Sequence, residues 1–209
     1  MSGDDKVDLF KQLKTTEYAQ PGTPTLIEVG EGRYLTIVGT GHPGGDEFES
    51  KVGALYGMAY TIKMTRKFDG RRDYVVGKLE GQWWSDQGPD LGNIPKEAWC
   101  WRLMIRTPDF VDQGEVEQAA KTLLDKGKDP QVANVKLETL REGHCIQMLH
   151  VGPYEREGET ISEMRQFALE QGYESCGRHH EIYISDPRRV PPERLKTILR
   201  MPVKRWMEA

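Results

Sequence analysis

Apolar and polar positions follow the same order of predicted elements twice along the chain. In the first half, residues 34–39 are rich in β-branched side chains and predict a strand. Asp46 with Glu49 predicts a helix start, and the apolar residues after it recur at helical spacing. Two extended segments, 74–84 and 99–105, come next, with turn residues between them. The first half therefore predicts strand–helix–strand–strand.

The second half repeats this order after a helix predicted from Glu115 to Lys126. A strand is predicted over 144–150, and a capping box that begins at Thr160 predicts the next helix. The strands that complete the repeat are predicted over 178–184 and 197–203. Residues 31–41 align with 142–152 without a gap and share an initial Glu-Gly and a final Gly, which supports a duplication.

We therefore predict an α+β fold of duplicated strand–helix–strand–strand modules, with a helix over one face of each sheet. The uncovered faces are expected to meet around a central space in which a ligand binds. A polar leader is predicted over 1–24, lying on the outside of the domain, and 25–209 are predicted to form one domain. Within it, the first module is predicted over 25–107, the linking helix over 113–127 and the second module over 135–205.

Composition narrows the class of protein. The chain has 209 residues, of which 37% are hydrophobic and 30% charged, so it predicts a globular protein. A net charge of −4 argues against nucleic acid as a partner, because binding to phosphates needs cations. We find no signal-peptide core and no long apolar run, which argues against a membrane. Three separated cysteines fit a reducing compartment, so we predict a cytoplasmic protein that is a monomer or a weak homodimer.

The segment 179–184 carries the most informative side chains. Successive residues of a strand point to opposite faces, so Glu181 shares one face with His179 and Tyr183. The isoleucines at 182 and 184 are expected to lie under a helix, which would turn Glu181 towards the inner space. A carboxylate among aromatic groups there is a candidate proton donor, proton acceptor or partner for a cation. The alternative is an ion pair with an arginine, or a strand edge in water.

Four of the five tryptophans fall within residues 83–101, beside a second glutamate. Glu80 is expected to occupy, in the first module, the position that Glu181 has in the second. The candidate aromatic residues are Trp83, Trp84, Trp99 and Trp101. Trp83 and Trp84 are adjacent and point opposite ways, so one is expected in the core and the other against a flat ligand, whereas Trp99 and Trp101 share a face. Which tryptophans line the pocket stays open.

Other chemistries lack their residues. His179 and His180 are neighbours on one strand and cannot converge on a metal, and no zinc-like spacing occurs. The glycine-rich segment 39–45 lacks the Lys-Ser/Thr of a phosphate loop, and no serine-hydrolase elbow is present. We therefore predict no metal and no cofactor.

The motifs Val151-Gly-Pro-Tyr154, His180-Glu-Ile-Tyr-Ile-Ser-Asp-Pro187 and Leu199-Arg-Met-Pro-Val203 resemble the GyrI-like small-molecule-binding family. Leu79-Glu-Gly-Gln-Trp-Trp84 further resembles its stand-alone branch, some members of which are hydrolases of cyclopropane-bearing DNA-alkylating compounds. Other branches are drug-sensing domains of transcription regulators, and gyrase inhibitors. The resemblance implies two modules around a pocket, with Glu181 as the inward glutamate. It also implies a Glu and Trp pair at Glu80 and Trp83 or Trp84.

Two functions follow as hypotheses. In the first, the protein is a hydrolase that opens a cyclopropane ring with water and so detoxifies the compound. Glu181 and Tyr183 would act in catalysis, with Tyr154 and His179 among the ligand-binding residues. In the second, the same pocket binds flat apolar or cationic drugs without chemistry, with Glu181 as the charge partner.

Overall fold

Six antiparallel strands close on one another into a barrel in the computed structural model, which describes residues 6–88 and 90–206. The strands are β1 Thr25–Thr40, β2 Leu79–Trp84, β3 Cys100–Thr107, β4 Lys136–Val151, β6 His179–Tyr183 and β7 Lys196–Arg205, with a short β5 Tyr173–Ser175 beside β7. They pair in the order β4–β1–β3–β2–β6–β7, and β7 returns to β4. The helices are α1 Leu9–Gln12, α2 Asp46–Phe68, α3 Gln113–Asp125 and α4 Glu157–Glu170.

Helix α2 covers the outer face of the first module. Alternate residues of β1 and β3 point outward, among them Leu35 and Leu103, and both are fully buried in one core with α2 residues such as Leu55. Gly39 permits the indole of Trp101 to lie directly on β1, since a Cβ at Gly39 would clash with that ring. The first core therefore lies between α2 and the outer face of the barrel.

Helix α4 covers the outer face of the second module in the same way. Its residues Met164 and Ala168 pack with Ile146 of β4 and with Leu199 and Met201 of β7. Two separate outer cores result, one under each helix. The predicted α+β fold of duplicated strand–helix–strand–strand modules is confirmed.

Residues 17–19 of the N-terminal segment reach into the barrel, whereas residues 11, 12 and 14–16 are exposed, so the prediction that the whole leader lies on the outside is wrong. Tyr18 is 3% exposed and packs with Ile182 and Ile198, and Phe10 and Leu13 add to this cluster. Tyr18 occupies this part of the barrel interior because the inward apolar side chains of β6 and β7 have no helix to cover them. Residues 1–5 of the predicted leader lie outside the described residues.

Most predicted elements are found, but several bounds differ. The segment predicted as extended over 74–84 becomes a strand only at Leu79, and Tyr74 makes an isolated bridge with Val7. Helix α4 begins at Glu157, before the predicted capping box, and the Thr160 hydroxyl bonds to His150 at 2.8 Å instead of capping the helix. None of the described helices combines the length and the apolar character needed to span a membrane.

Candidate active site

Glu181 lies on the outer, helix-bearing face of the barrel, in the gap between α2 and α4. It pairs with Gly81 of β2 and with Leu199 of β7, and Leu199 belongs to the core under α4. Trp83, which shares the face of Gly81, belongs to the core under α2. The expected inward direction of Glu181 is therefore wrong, because Ile182 faces the barrel interior instead of a helix.

Two neighbours on the same strand hold the Glu181 carboxylate. The Tyr183 hydroxyl donates to Oε2 at 2.8 Å, and His179 Nε2 lies 3.2 Å from Oε1. The Glu181 side chain is 14% exposed. Burial, and next the charge of Glu181, raises the pKa of the Tyr183 phenol well above its usual value, so it remains a donor. The predicted grouping of these three residues is confirmed by their contacts, whereas their catalytic role stays a prediction.

Glu157 is a site residue that the sequence analysis did not find. It comes from the first turn of α4 and is 6% exposed, and its carboxyl lies within hydrogen-bonding reach of Thr197 and Glu181. One of its oxygens, one of Glu181 and a ring nitrogen of His179 lie within 4.8 Å of one another. Burial, followed by the charge of Glu181, raises the pKa of Glu157 to about 10. Glu157 is therefore neutral near pH 7, next to the Glu181 carboxyl group.

Trp83 forms one wall of this site. It is 4% exposed, and its indole Nε1 lies beside the Tyr183 hydroxyl oxygen, to which it can donate. A Cβ at Gly81 would lie 3.0 Å from that nitrogen and 3.0 Å from the Tyr183 hydroxyl, so glycine leaves the room that both groups occupy. Phe48 stacks on the Trp83 ring at 6.0 Å, and Trp99 meets it edge-on at 5.9 Å.

Tyr154 forms the outer edge of the site. Its ring meets Tyr183 edge-on at 6.0 Å, and the residue is 36% exposed. Burial, and next the charges of Glu157 and Glu181, raises the pKa of Tyr154 to about 12. Tyr154 thus lies between the carboxyl pair and solvent.

Three of the predicted ligand-binding residues lie elsewhere. Glu80 is fully buried inside the barrel, on the opposite face from Glu181, so the expected equivalence of the two glutamates is wrong. Trp101 is fully buried in the core under α2 and donates to the Gly41 carbonyl at 3.2 Å. Trp84 points away from Trp83, and the Arg178 guanidinium lies 3.6 Å from its ring centre. Strand parity separates Glu80 and Trp84 from Glu181, whereas Trp101 shares the outer face but is enclosed in the core under α2.

Glu80 belongs to a buried polar cluster in the barrel interior. It accepts a hydrogen bond of 2.6 Å from Tyr18, and its second oxygen lies 3.0 Å from His180 Nε2. His180 Nδ1 contacts Glu142 at 2.9 Å, and Arg200 donates to Glu142 at 2.9 Å. Each charge therefore has an opposite charge or a donor beside it, which is the usual condition for burying ions.

Glu157, His179 and Glu181, which we call the outer group, also lie close enough together to hold a metal ion. The prediction that no metal binds did not consider this combination of residues. That prediction compared His179 only with His180, whereas the fold brings His179 to two glutamates. One contact favours proton transfer instead, because the Tyr183 hydroxyl already donates to Glu181 Oε2.

Two surface depressions lie away from Glu181. One follows α4 past Ser162 and Gln166, and the other lies between α2 and α3 near Thr65 and Gln118.

Residues 22–204 match the GyrI-like small molecule binding domain, so the chain belongs to this family and the resemblance of its motifs is confirmed. It is therefore a small-molecule-binding protein by family.

An uncharacterized conserved protein from Listeria innocua is 42% identical, with a TM-score of 0.89 over 95% of this chain and 100% of its own. A hydrolase from Listeria innocua is 41% identical, with a TM-score of 0.85 over the same shares of the two chains, 95% and 100%. The C-terminal domain of EcmrR shares the fold alone, at 12% identity and a TM-score of 0.56, over 88% of this chain and 98% of its own. No curated protein is significantly similar in sequence.

Proposed function

We propose that the protein binds flat electrophilic compounds in the gap between α2 and α4 and hydrolyses them. The observation that carries this proposal is a buried carboxylate, Glu181, held by Tyr183 at 2.8 Å beside the neutral acid Glu157. Similarity to a hydrolase from Listeria innocua, at 41% identity over nearly the whole chain, supports an enzymatic role. The proposed substrates are cyclopropane-bearing DNA-alkylating compounds, so the activity would be a detoxification.

In the proposed reaction, water adds to the strained ring. Glu181 takes a proton from a water molecule as its oxygen forms a bond to the ring carbon. The ring carbon–carbon bond breaks, and its electron pair passes into the conjugated carbonyl, whose oxygen takes up a proton from solvent while Glu181 releases its proton to solvent. Tyr183 holds Glu181 Oε2, so the carboxylate is oriented before the water arrives. Positioned base catalysis of this kind contributes about 10²–10⁴ in rate.

The aromatic residues are proposed to bind the flat part of the substrate. Trp83 and Trp99 form an edge-to-face pair, and the half-exposed Tyr154 is the group that must move to admit the ligand. A water-poor site also protects the reaction, since the base then acts on a single positioned water.

The second candidate is a binding module without chemistry. The observation that favours it is the surplus negative charge of Glu181, which has no arginine or lysine partner among the described residues. A flat cation would supply that partner and stack on Trp83.

The test is incubation of the purified protein with a cyclopropane-containing duocarmycin-type compound, followed by mass spectrometry. We expect the compound to gain one water, and we expect Glu181→Gln to lower the rate by about 10²–10⁴. The control is Glu174→Gln, an exposed glutamate on β5. A chelator should leave the rate unchanged if proton transfer carries the reaction.

An unchanged compound that still quenches tryptophan fluorescence would instead support the binding module. In that case Glu181→Gln should weaken cationic ligands and spare neutral ones.

A further inference from the structure

His150 is a buried histidine to which the proposed function gives no role. It is 6% exposed and lies on the outer face of β4, beside the core under α4. Its ring nitrogen Nε2 lies 3.2 Å from the Pro153 carbonyl oxygen, and Nδ1 lies 2.8 Å from the Thr160 hydroxyl. A carbonyl only accepts, so Nε2 carries a proton, and in the neutral ring Nδ1 accepts from Thr160. Both partners of this buried ring therefore belong to one short segment, 153–160.

That segment carries two residues of the site. The Tyr154 ring meets Tyr183 edge-on at 6.0 Å, and Glu157, the first residue of α4, belongs to the outer group. The two hydrogen bonds of His150 reach the segment before Tyr154 and after Glu157. One imidazole ring therefore braces the stretch of chain from which both side chains project.

The segment needs this brace because α4 begins without a cap. Among the described residues, no side chain caps α4, whose N-cap is Arg156. An uncapped first turn leaves N–H groups without partners and is less firmly held. Before the helix, Gly152 has a φ of +147°, which turns the chain back over the imidazole. A Cβ at Gly152 would lie 3.3 Å from His150 Nε2, so the turn packs directly on the ring.

The base of the brace is the sheet. His150 pairs directly with Thr197 of β7, which is 1% exposed. Directly paired residues of neighbouring strands share one face, so the two side chains lie next to each other under the start of α4. The Glu157 carboxyl lies within hydrogen-bonding reach of Thr197. The start of α4 is thus fixed from a rigid element of the fold, which is how precise sites are usually held.

We propose that His150 is a positioning residue that holds Tyr154 at the edge of the site, ready to pack on a flat substrate. The inference rests on the proposed function for what Tyr154 does, whereas the contacts of His150 are independent of it. A ring that is already in place loses little freedom when a ligand packs on it, so pre-organisation improves binding. His150 should therefore act on KM, through Tyr154, more than on the chemistry at Glu181.

The first measurement needs no substrate. The tyrosines of the full chain are labelled as 3-fluorotyrosine, and the ¹⁹F resonance of Tyr154 is identified by its loss in Tyr154→Phe. We expect His150→Leu to move this resonance towards that of fluorotyrosine in water, because the turn is released. His150→Gln, which keeps a donor for the Pro153 carbonyl, should move it less. Thr160→Val removes the other bond and should also move it. The matched control is His144→Leu, an exposed histidine on the same strand, which should leave it in place.

The second measurement is the KM for the cyclopropane compound. We expect His150→Leu to raise KM roughly 2–10-fold, which corresponds to ordering one side chain, with a smaller change in kcat. In a Tyr154→Ala background, the same substitution should leave KM at the value of Tyr154→Ala alone. A residue that merely supports the fold would instead have an independent effect in each background. It would also lower the fraction of active protein, and therefore the apparent kcat, without raising KM.

The two measurements distinguish this inference from the proposed function. Hydrolysis together with a Tyr154 resonance that stays in place in both His150→Leu and Thr160→Val would keep the function and overturn the inference. A KM effect of His150→Leu that persists in the Tyr154→Ala background would also overturn it.

A compound that binds without being hydrolysed would reject hydrolysis alone. The same cycle of variants is then read from the dissociation constant, measured by quenching of tryptophan fluorescence, and the same non-additivity is expected. A chain that neither hydrolyses nor binds the compound would reject the proposed function and, with it, the substrate role of Tyr154.

Discussion

Strand β6 carries a histidine–carboxylate group on each of its two faces, and the two groups differ in how their charges are balanced. On the inner face, His180 lies between Glu80 and Glu142, and Arg200 adds a second cation beside Glu142. On the outer face, His179 and Tyr183 contact Glu181, and Glu157 brings another carboxyl. No arginine or lysine joins the outer group within the part of the chain that the structure describes.

This difference sets the proton content of each group. Burial alone would raise the pKa of Glu142, but His180 and Arg200 outweigh it and hold that pKa well below its usual value. Burial lowers the pKa of His180, but Glu142 more than offsets this and raises it to about 9. In the outer group, burial and Glu181 raise the pKa of Glu157 to about 10. The inner group is thus a paired structural cluster, whereas the outer group keeps a proton to give.

The largest effect is expected from breaking the inner cluster. Arg200→Met removes a donor from Glu142 and from Gln147, and it leaves Glu142 with less positive charge in the barrel interior. We expect a loss of about 3–5 kcal/mol in the free energy of unfolding, measured by urea denaturation. Lys204→Met is the control, since it breaks only an exposed pair with Glu174 and should cost at most about 1 kcal/mol. Equal losses in the two variants would refute the distinction.

In the outer group, removal of a buried acid should raise the free energy of unfolding instead of lowering it. The pKa of Glu157 is about 10 in the folded protein, against roughly 4.3 for an unfolded glutamate. Its contribution to stability is therefore complete below about pH 4.3 and is lost as the pH rises towards 10. Glu157→Gln lacks this dependence, so at pH 8 it should be more stable than the wild type by at least about 1.4 kcal/mol, the value of one pKa unit.

Denaturation at pH 5 and at pH 8 measures this difference, and it should shrink at the lower pH. The pH dependence from His180 is present in both proteins and cancels. Glu159→Gln serves as the control without such a trend. If Glu157→Gln were less stable than the wild type at pH 8, the assignment of a neutral Glu157 would be wrong.

The smallest effect is expected from filling the space that Gly81 leaves between Trp83 and Tyr183. A methyl group at Gly81 would come within 3.0 Å of Trp83 Nε1 and of the Tyr183 hydroxyl. We expect Gly81→Ala to cost about 1 kcal/mol and to shift tryptophan fluorescence, because both side chains must move. Hydrolysis should slow as Tyr183 loses its hold on Glu181. Gly53→Ala is the control, since open space surrounds that exposed helical position. An unchanged rate in Gly81→Ala would show that Tyr183 does not orient the base.

Local patterns predicted the elements of the fold well and their ends less well. The period of two along β6 correctly placed His179, Glu181 and Tyr183 on one face. The sequence that begins at Thr160 resembles a capping box and therefore predicts the start of α4 there. In the structure, the Thr160 hydroxyl bonds to His150 instead. That error left Glu157 in a predicted loop. An acidic residue three positions before the apparent cap was the only local signal for it.

Alternation along the chain determined which side chains lie together on each strand, since the direction of successive side chains is a local property of extended backbone. Which face of β6 meets the helices was decided by the closed barrel. The inward isoleucine is covered by Tyr18, which is 164 positions earlier in the chain than Ile182. The approach of Glu157 to Glu181 likewise depends on how α4 packs on β4 and β7. Long-range pairing, burial and the balance of charge set these features, and no window of neighbouring residues contains them.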